Sequence, residues 1–276
     1  MTFGTTQDQD NAAAANAANA AGAACAETNT TGAACAETNA SRGIFITFEG
    51  GEGAGKSTHI NFLAEVLEEH GYEVLRLREP GGTVIGEKLR EIVLDAAHQE
   101  MSHEAELLIY EAARAQIVAE VIKPALERGA VVLCDRFFDS TLAYQVYGRG
   151  LDATFVKQVN DFAVQGAIPQ RTIVLSCGRA ARCGLERATK HGVTDRLESA
   201  GEDFHTRVNE AFLELAKDYP ERIRVVESQD LKSQTACAVF AALKDLFTWI
   251  SPLLDDKDFF ARVDTGRYGN KHCDEG

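Results

Sequence analysis

The segment Gly50-Gly51-Glu52-Gly53-Ala54-Gly55-Lys56-Ser57, followed by Thr58, concentrates backbone amides freed by glycine, an ammonium group and a hydroxyl in one short stretch. Its spacing fits G-x-x-x-x-G-K-[ST]. In such a loop the glycines let N–H groups converge on phosphate oxygens, and the start of the following helix adds partial positive charge. Lys56 would reach the β- and γ-phosphates of a nucleoside triphosphate, and the Ser57 hydroxyl would ligate Mg²⁺. The alternative is a glycine-rich turn with a chance lysine. The flanks weigh against it, because Ile44–Phe48 reads as a strand and Lys56–His70 as a helix that stops at Gly71. A second carboxylate for the metal is expected at the end of another buried strand. Asp135, after Val131-Val132-Leu133-Cys134, fits that place. Arg136 follows at once, where it either contacts phosphate or forms a structural ion pair.

Positioning these groups requires a sheet, and the chain alternates accordingly. Strand patterns fall at 44–48, 72–77, 131–134, 172–175 and 223–226. Helical patterns fall at 56–70, 83–95, 102–128, 139–147, 153–165, 179–190, 203–218 and 231–250. Strands separated by helices predict an α/β domain over 43–250, a parallel sheet covered on both faces. Ligands of such sheets bind at the carboxyl ends of the strands, where the glycine-rich loop and Asp135-Arg136 both lie.

Residues 1–42 are rich in Ala, and Gly22–Asn29 recurs as Gly32–Asn39, but two units without large apolar residues cannot build a core. This segment is expected to be a disordered low-complexity tail, and the acidic stretch 251–276 a loose polar one. The formal net charge is −14, from 28 basic and 42 acidic residues. That sign opposes non-specific association with nucleic acid or an anionic membrane. No run of apolar residues is long enough to span a bilayer. The seven cysteines show no C-x-x-C spacing, so reduced thiols in the cytoplasm are expected. The histidines show no metal spacing and suit surface or helix-end positions.

A GTP-specific reading fails for want of D-x-x-G, and Asn270-Lys271-His272-Cys273-Asp274 is one residue too long for N-K-x-D. Further segments fall into a known order. Arg78-Glu79-Pro80-Gly81-Gly82-Thr83, Ala112-Ala113-Arg114, Asp135-Arg136-Phe137, Ser140-Thr141-Leu142-Ala143-Tyr144-Gln145 and Gly148-Arg149-Gly150 closely resemble bacterial thymidylate kinases. So do Asp195-Arg196-Leu197-Glu198 and Phe212-Leu213-Glu214-Leu215-Ala216. The resemblance covers about 43–250.

It implies the three-layer P-loop NTPase fold with a five-stranded parallel sheet, a homodimer, and transfer of phosphate from ATP, with Mg²⁺, to thymidine monophosphate. It further implies that Arg78 and Arg136 hold the acceptor phosphate and that Tyr110 stacks on the base. Arg114 would read the base carbonyl, Thr141 and Tyr144 would line the base and sugar, and Glu52 would meet the sugar 3′-hydroxyl. Tyr110 and Arg114 are four apart on one helix and share a face, although an exposed arginine beside a half-buried core tyrosine would give the same spacing. The lid, about 186–202, departs from the arginine-rich family pattern with Arg187-Ala188-Thr189-Lys190-His191, and Ser176 stands where the fourth strand usually ends in an acid. The phosphate loop has no arginine, so Arg187, or second Arg196, is expected to supply the transition-state cation, although either could instead form a surface ion pair. The competing readings are another nucleoside or nucleotide kinase of this fold and a non-catalytic ATP-binding regulator.

Overall fold

The computed structural model describes residues 43–176, 196–197 and 200–268. They belong to one compact unit, Ala40–Gly276. The 1–42 tail, the helix expected at 179–190, Arg187 and most of the lid lie outside the described residues.

Strands β1 (Ile44–Glu49), β2 (Val74–Arg78), β3 (Val131–Asp135), β4 (Arg171–Ser176) and β5 (Ile223–Glu227) form an all-parallel sheet in the order β2-β3-β1-β4-β5. Alternate β1 side chains enter different cores, as the period of two requires. Ile46 and Phe48 pack with Phe62, Leu63 and Phe240, whereas Phe45 packs with Val132, Cys134 and Phe137. Both faces are therefore buried, which is why β1, β3 and β4 read as near-continuous apolar runs.

The helices are α1 (Lys56–Glu69), α2 (Val84–Leu94), α3 (His103–Ile117), α4 (Lys123–Glu127), α5 (Phe138–Thr141), α6 (Ala153–Val164), α7 (Glu202–Asp218), α8 (Lys232–Ala241) and α9 (Lys257–Ala261). Side-chain caps start several of them: Thr83 Oγ1 accepts from the Gly86 N–H, and Ser102 Oγ from that of Ala105. The single helix expected over 102–128 is α3 continued through a π turn, Val118–Ile122, into α4. Pro124, which cannot donate an N–H to the turn before it, lies just after this π turn. A second π turn, Leu142–Gly148, extends α5. No described helix is long and apolar enough to cross a membrane.

Three expectations are corrected. Residues 251–268 are not a loose tail. Phe260, Val263 and Tyr268 are buried against Phe62 of α1, with Tyr268 and Phe62 rings 5.2 Å apart at centroid. Arg262 pairs with Glu65 and Glu69 of α1 at 2.9 and 2.6 Å. Arg262 and Arg267 are paired with the acids of α1, and the aromatic residues between the segment's charges do the packing. His59 is also not a surface residue. It is buried in α1, and its pKa is lowered to about 4, first by burial and then by Lys232. The helix expected at 231–250 ends at Ala241, and a short 3-10 turn, Thr248–Leu253, brings the Trp249 ring onto His70 at 3.8 Å.

Candidate active site

The loop between β1 and α1 turns through positive φ at Gly50 (125°), Gly53 (67°) and Gly55 (92°). A Cβ on Gly50 would lie 2.2 Å from the Leu175 carbonyl oxygen, so no other residue fits there. Lys56 is buried, and its Nζ donates to the Gly51 and Gly50 carbonyls at 3.0 and 3.3 Å. Burial, with Arg136 next in weight, lowers its pKa. Ser57 Oγ donates to Asp135 Oδ2 at 3.2 Å, which joins two oxygens of the kind a hard divalent cation takes.

Sheet register explains the convergence. Phe48, Asp135 and Arg78 stand level across β1, β3 and β2, so the ends of three strands deliver their groups to one edge. The onward connections of β1 and β3 run to opposite sides of the sheet, which opens a crevice between them. Arg136 lies there with φ 69°. Its Nη2 meets Glu52 Oε1 at 2.5 Å, its Nη1 donates to Ser140 Oγ at 3.2 Å, and its guanidinium lies 5.1 Å from the Tyr144 ring centroid. Burial pushes the Glu52 carboxyl upward, but Arg136 and then Lys56 outweigh it and hold it at about 2. Arg78 is half-buried, donating to Glu87 at 3.0 Å and to the Pro80 carbonyl at 3.2 Å.

Beyond Arg136 lies a buried network around Arg114, whose side chain is 2% exposed. Its Nε and Nη2 donate to Glu79 Oε2 at 2.9 and 2.7 Å, and its Nη1 donates to Glu111, Thr141 and Asn160 at 2.5, 2.8 and 3.1 Å. The picture of an exposed arginine on this helix is thus wrong. Burial lifts Glu79 to about 7 even though Arg114 pulls it down. Tyr110, one turn earlier on α3, is half-buried.

The structure therefore brings Gly50, Gly51, Glu52, Gly53, Ala54, Gly55, Lys56, Ser57, Thr58, Asp135 and Arg136 around the loop. It joins Arg114 and Thr141 in one network, with the Tyr144 ring under Arg136. Arg196 is placed differently. Its guanidinium is buried against Glu106 of α3, and Nε donates to the Val93 carbonyl at 3.1 Å. Glu106 also takes Arg149 at 3.0 Å. Sequence reasoning missed Glu49, Glu79, Glu111 and Asn160 as site-forming residues. Glu49 and Glu79 carried a signal, since each is an acid at the end of an apolar or β-rich run. Asn160 carried none, because it meets Arg114 only through the packing of α6.

A crevice at the carboxyl edge of a parallel sheet, with a glycine loop, a buried lysine and a serine–aspartate oxygen pair, defines a P-loop phosphotransferase. Comparison with known proteins specifies which. The thymidylate kinase family profile matches residues 48–237. The thymidylate kinase of Geotalea uraniireducens (strain Rf4) is 45% identical over 207 residues, covering 73% of this chain and 96% of that protein. The Pseudomonas fluorescens (strain Pf-5) thymidylate kinase is 47% identical over 205 residues, covering 74% and 96%. The crystal structure of thymidylate kinase from Ehrlichia chaffeensis superposes with a TM-score of 0.60 at 32% identity, covering 73% of this chain and 98% of that one. The chain belongs to the thymidylate kinase family.

Proposed function

We propose that this chain transfers the γ-phosphoryl group of ATP to thymidine monophosphate, giving thymidine diphosphate and ADP. The observation that carries the reading is Arg136, which spans the crevice from Glu52 of the phosphate loop to Tyr144. One guanidinium thereby links the donor loop to the acceptor side. Lys56 neutralises the donor phosphates. Arg136 and Arg78 hold the acceptor phosphate in line, Tyr110 stacks on the base, and Arg114, locked by its network, presents an N–H to a base carbonyl. Thr141 and Tyr144 line the base and sugar, and Glu52 meets the sugar 3′-hydroxyl.

The acceptor is itself an oxyanion, with a second pKa of about 6 as for other phosphomonoesters, so no strong base is required. Bringing two polyanions together is the difficulty, and positioning and charge neutralisation supply the catalysis. Ser57 and Asp135 fit a Mg²⁺ ion. Among the described residues no cluster of three or more His, Cys, Asp and Glu could hold one, so the ion would be shared with nucleotide phosphates. When bound, Mg²⁺ supplies charge neutralisation at the β- and γ-phosphates. Because Arg196 is spent on Glu106, Arg187 is the better lid cation. The test of the whole reading is ADP release measured with each nucleoside monophosphate in turn. Thymidine monophosphate should give the highest kcat/KM, and preference for another acceptor would overturn the substrate assignment.

The same protein is proposed to act in the cytoplasm as a homodimer. Support for the dimer is an exposed apolar surface on three neighbouring helices: Ile85 and Ile92 on α2, Leu108 on α3, and Phe155 and Phe162 on α6, with Phe162 82% exposed. Surfaces of this kind on a soluble domain mark contacts with another chain. Sedimentation should show a dimer for the wild type and a monomer for Phe162→Glu. A monomeric wild type would remove the proposal.

A further inference from the structure

Strand β1 ends on Glu49, a carboxyl with no solvent exposure that takes no part in the phosphate contacts above. Burying such a group is costly unless its oxygens are occupied, and here both are. Oε1 accepts the Phe137 N–H at 2.7 Å, and Oε2 accepts the Ser140 hydroxyl at 2.5 Å. Ser140 Oγ is in turn the acceptor for Arg136 Nη1.

Arg136 lies between these contacts in the left-handed region, which a residue with a Cβ occupies only where its surroundings hold it. Successive residues of β1 provide the hold. The Phe48 carbonyl takes the Arg136 N–H at 2.9 Å, and the Glu49 carboxyl takes the next N–H, that of Phe137. Phe137 is the N-cap of α5 and has no side-chain cap of its own. Burial, with Asp139 next, pushes Glu49 up to about 8 against the pull of Ser140, Arg136 and the Phe137 N–H. The two carboxyl oxygens, each with its own donor, are what fix the turn at Arg136.

We propose that Glu49 is the positioning residue for Arg136: by gripping the Phe137 N–H and the Ser140 hydroxyl it fixes the backbone at Arg136 and aims the guanidinium across the crevice. Glu49 itself touches neither substrate. The inference rests on the reading of Arg136 as an acceptor-phosphate residue.

The test compares steady-state kinetics of wild type, E49A, E49Q, S140A, R136A and the E49A/R136A double variant, varying each substrate separately. E49A should raise KM for thymidine monophosphate about tenfold or more while leaving KM for ATP within about twofold, the split expected when only acceptor contacts are misaligned. E49Q should recover part of the loss, because its side-chain carbonyl can still accept the Phe137 N–H while its NH2 cannot accept from Ser140. In the R136A background E49A should add little further loss, the signature of one residue acting through the other. Should E49A fail to fold, S140A carries the same split, since it removes only the hydroxyl link. A folded E49A with unchanged acceptor KM, an equal rise in both KM values, or full additivity with R136A would overturn the proposal. An R136A enzyme with normal acceptor KM would overturn the Arg136 reading itself, and this proposal with it.

Discussion

Lys56→Ala is expected to lower kcat about 10³-fold or more, the scale of removing a preorganised charge from a site where negative charge is transferred. Lys56 is the buried cation of the phosphate loop, and among the described residues its ammonium donates to the Gly50 and Gly51 carbonyls. Burial already disfavours its charged form, so the wild-type fold carries a cost there that alanine relieves. The variant should therefore keep its circular dichroism spectrum and melt no earlier than the wild type by a wide margin. Activity and stability are thus expected to separate cleanly. Turnover within about tenfold of wild type, roughly 1.4 kcal/mol in the barrier, would remove Lys56 from the phosphate site.

Arg114→Ala should act in the opposite way, mainly on the fold. Its guanidinium is the partner of Glu79 and Glu111, both 3% exposed, and it also ties Thr141 and Asn160 to α3. Breaking one side of a buried ion pair costs about 3–5 kcal/mol, since the charge left behind has no partner. The sign of the pH dependence follows from Glu79, whose folded pKa is raised from 4.5 to about 7. A raised carboxyl means the folded state holds a proton that the unfolded chain has released, so stability falls as pH rises through that window. Alanine at 114 removes the influences that pull Glu79 down and moves its folded pKa higher still. The deficit relative to wild type, read from urea melts, should be largest near pH 8 and shrink toward pH 5. Arg114→Met combined with Glu79→Gln and Glu111→Gln should lose less than Arg114→Ala alone, because no charge is left unpaired. A deficit under about 1 kcal/mol, the ordinary range for surface changes, would show that the network is not holding the fold.

Strand–helix alternation, the phosphate loop and the Asp135-Arg136 pair were legible in the residues alone, because each rests on local rules. Gly50 must be glycine whatever surrounds it once the chain turns at φ 125°. The apolar runs of β1, β3 and β4 must be buried on both faces wherever the sheet lies. Among the described residues, boundaries came out within a few residues for the same reason, apart from the last long helix, which stops at Ala241. The base-side network was not legible. Arg114 and Tyr110 have the same helical spacing whether exposed or buried, and only the packing of α5 and α6 against α3 seals Arg114 among Glu79, Glu111, Thr141 and Asn160. Arg196, the second choice for the lid cation, is instead held by Glu106, ninety positions away in sequence. The segment to Tyr268 read as polar because composition averages its charges with its aromatics. Tertiary structure separates them, setting Arg262 on Glu65 and Glu69 and Phe260 and Tyr268 on Phe62. Period and loop chemistry are short-range properties that a sequence carries on its face. The fate of a charged side chain depends on which distant carboxylate the fold places within about 3 Å of it, the ordinary reach of a charge-assisted hydrogen bond, and that is decided only when the sheet and helices close on one another.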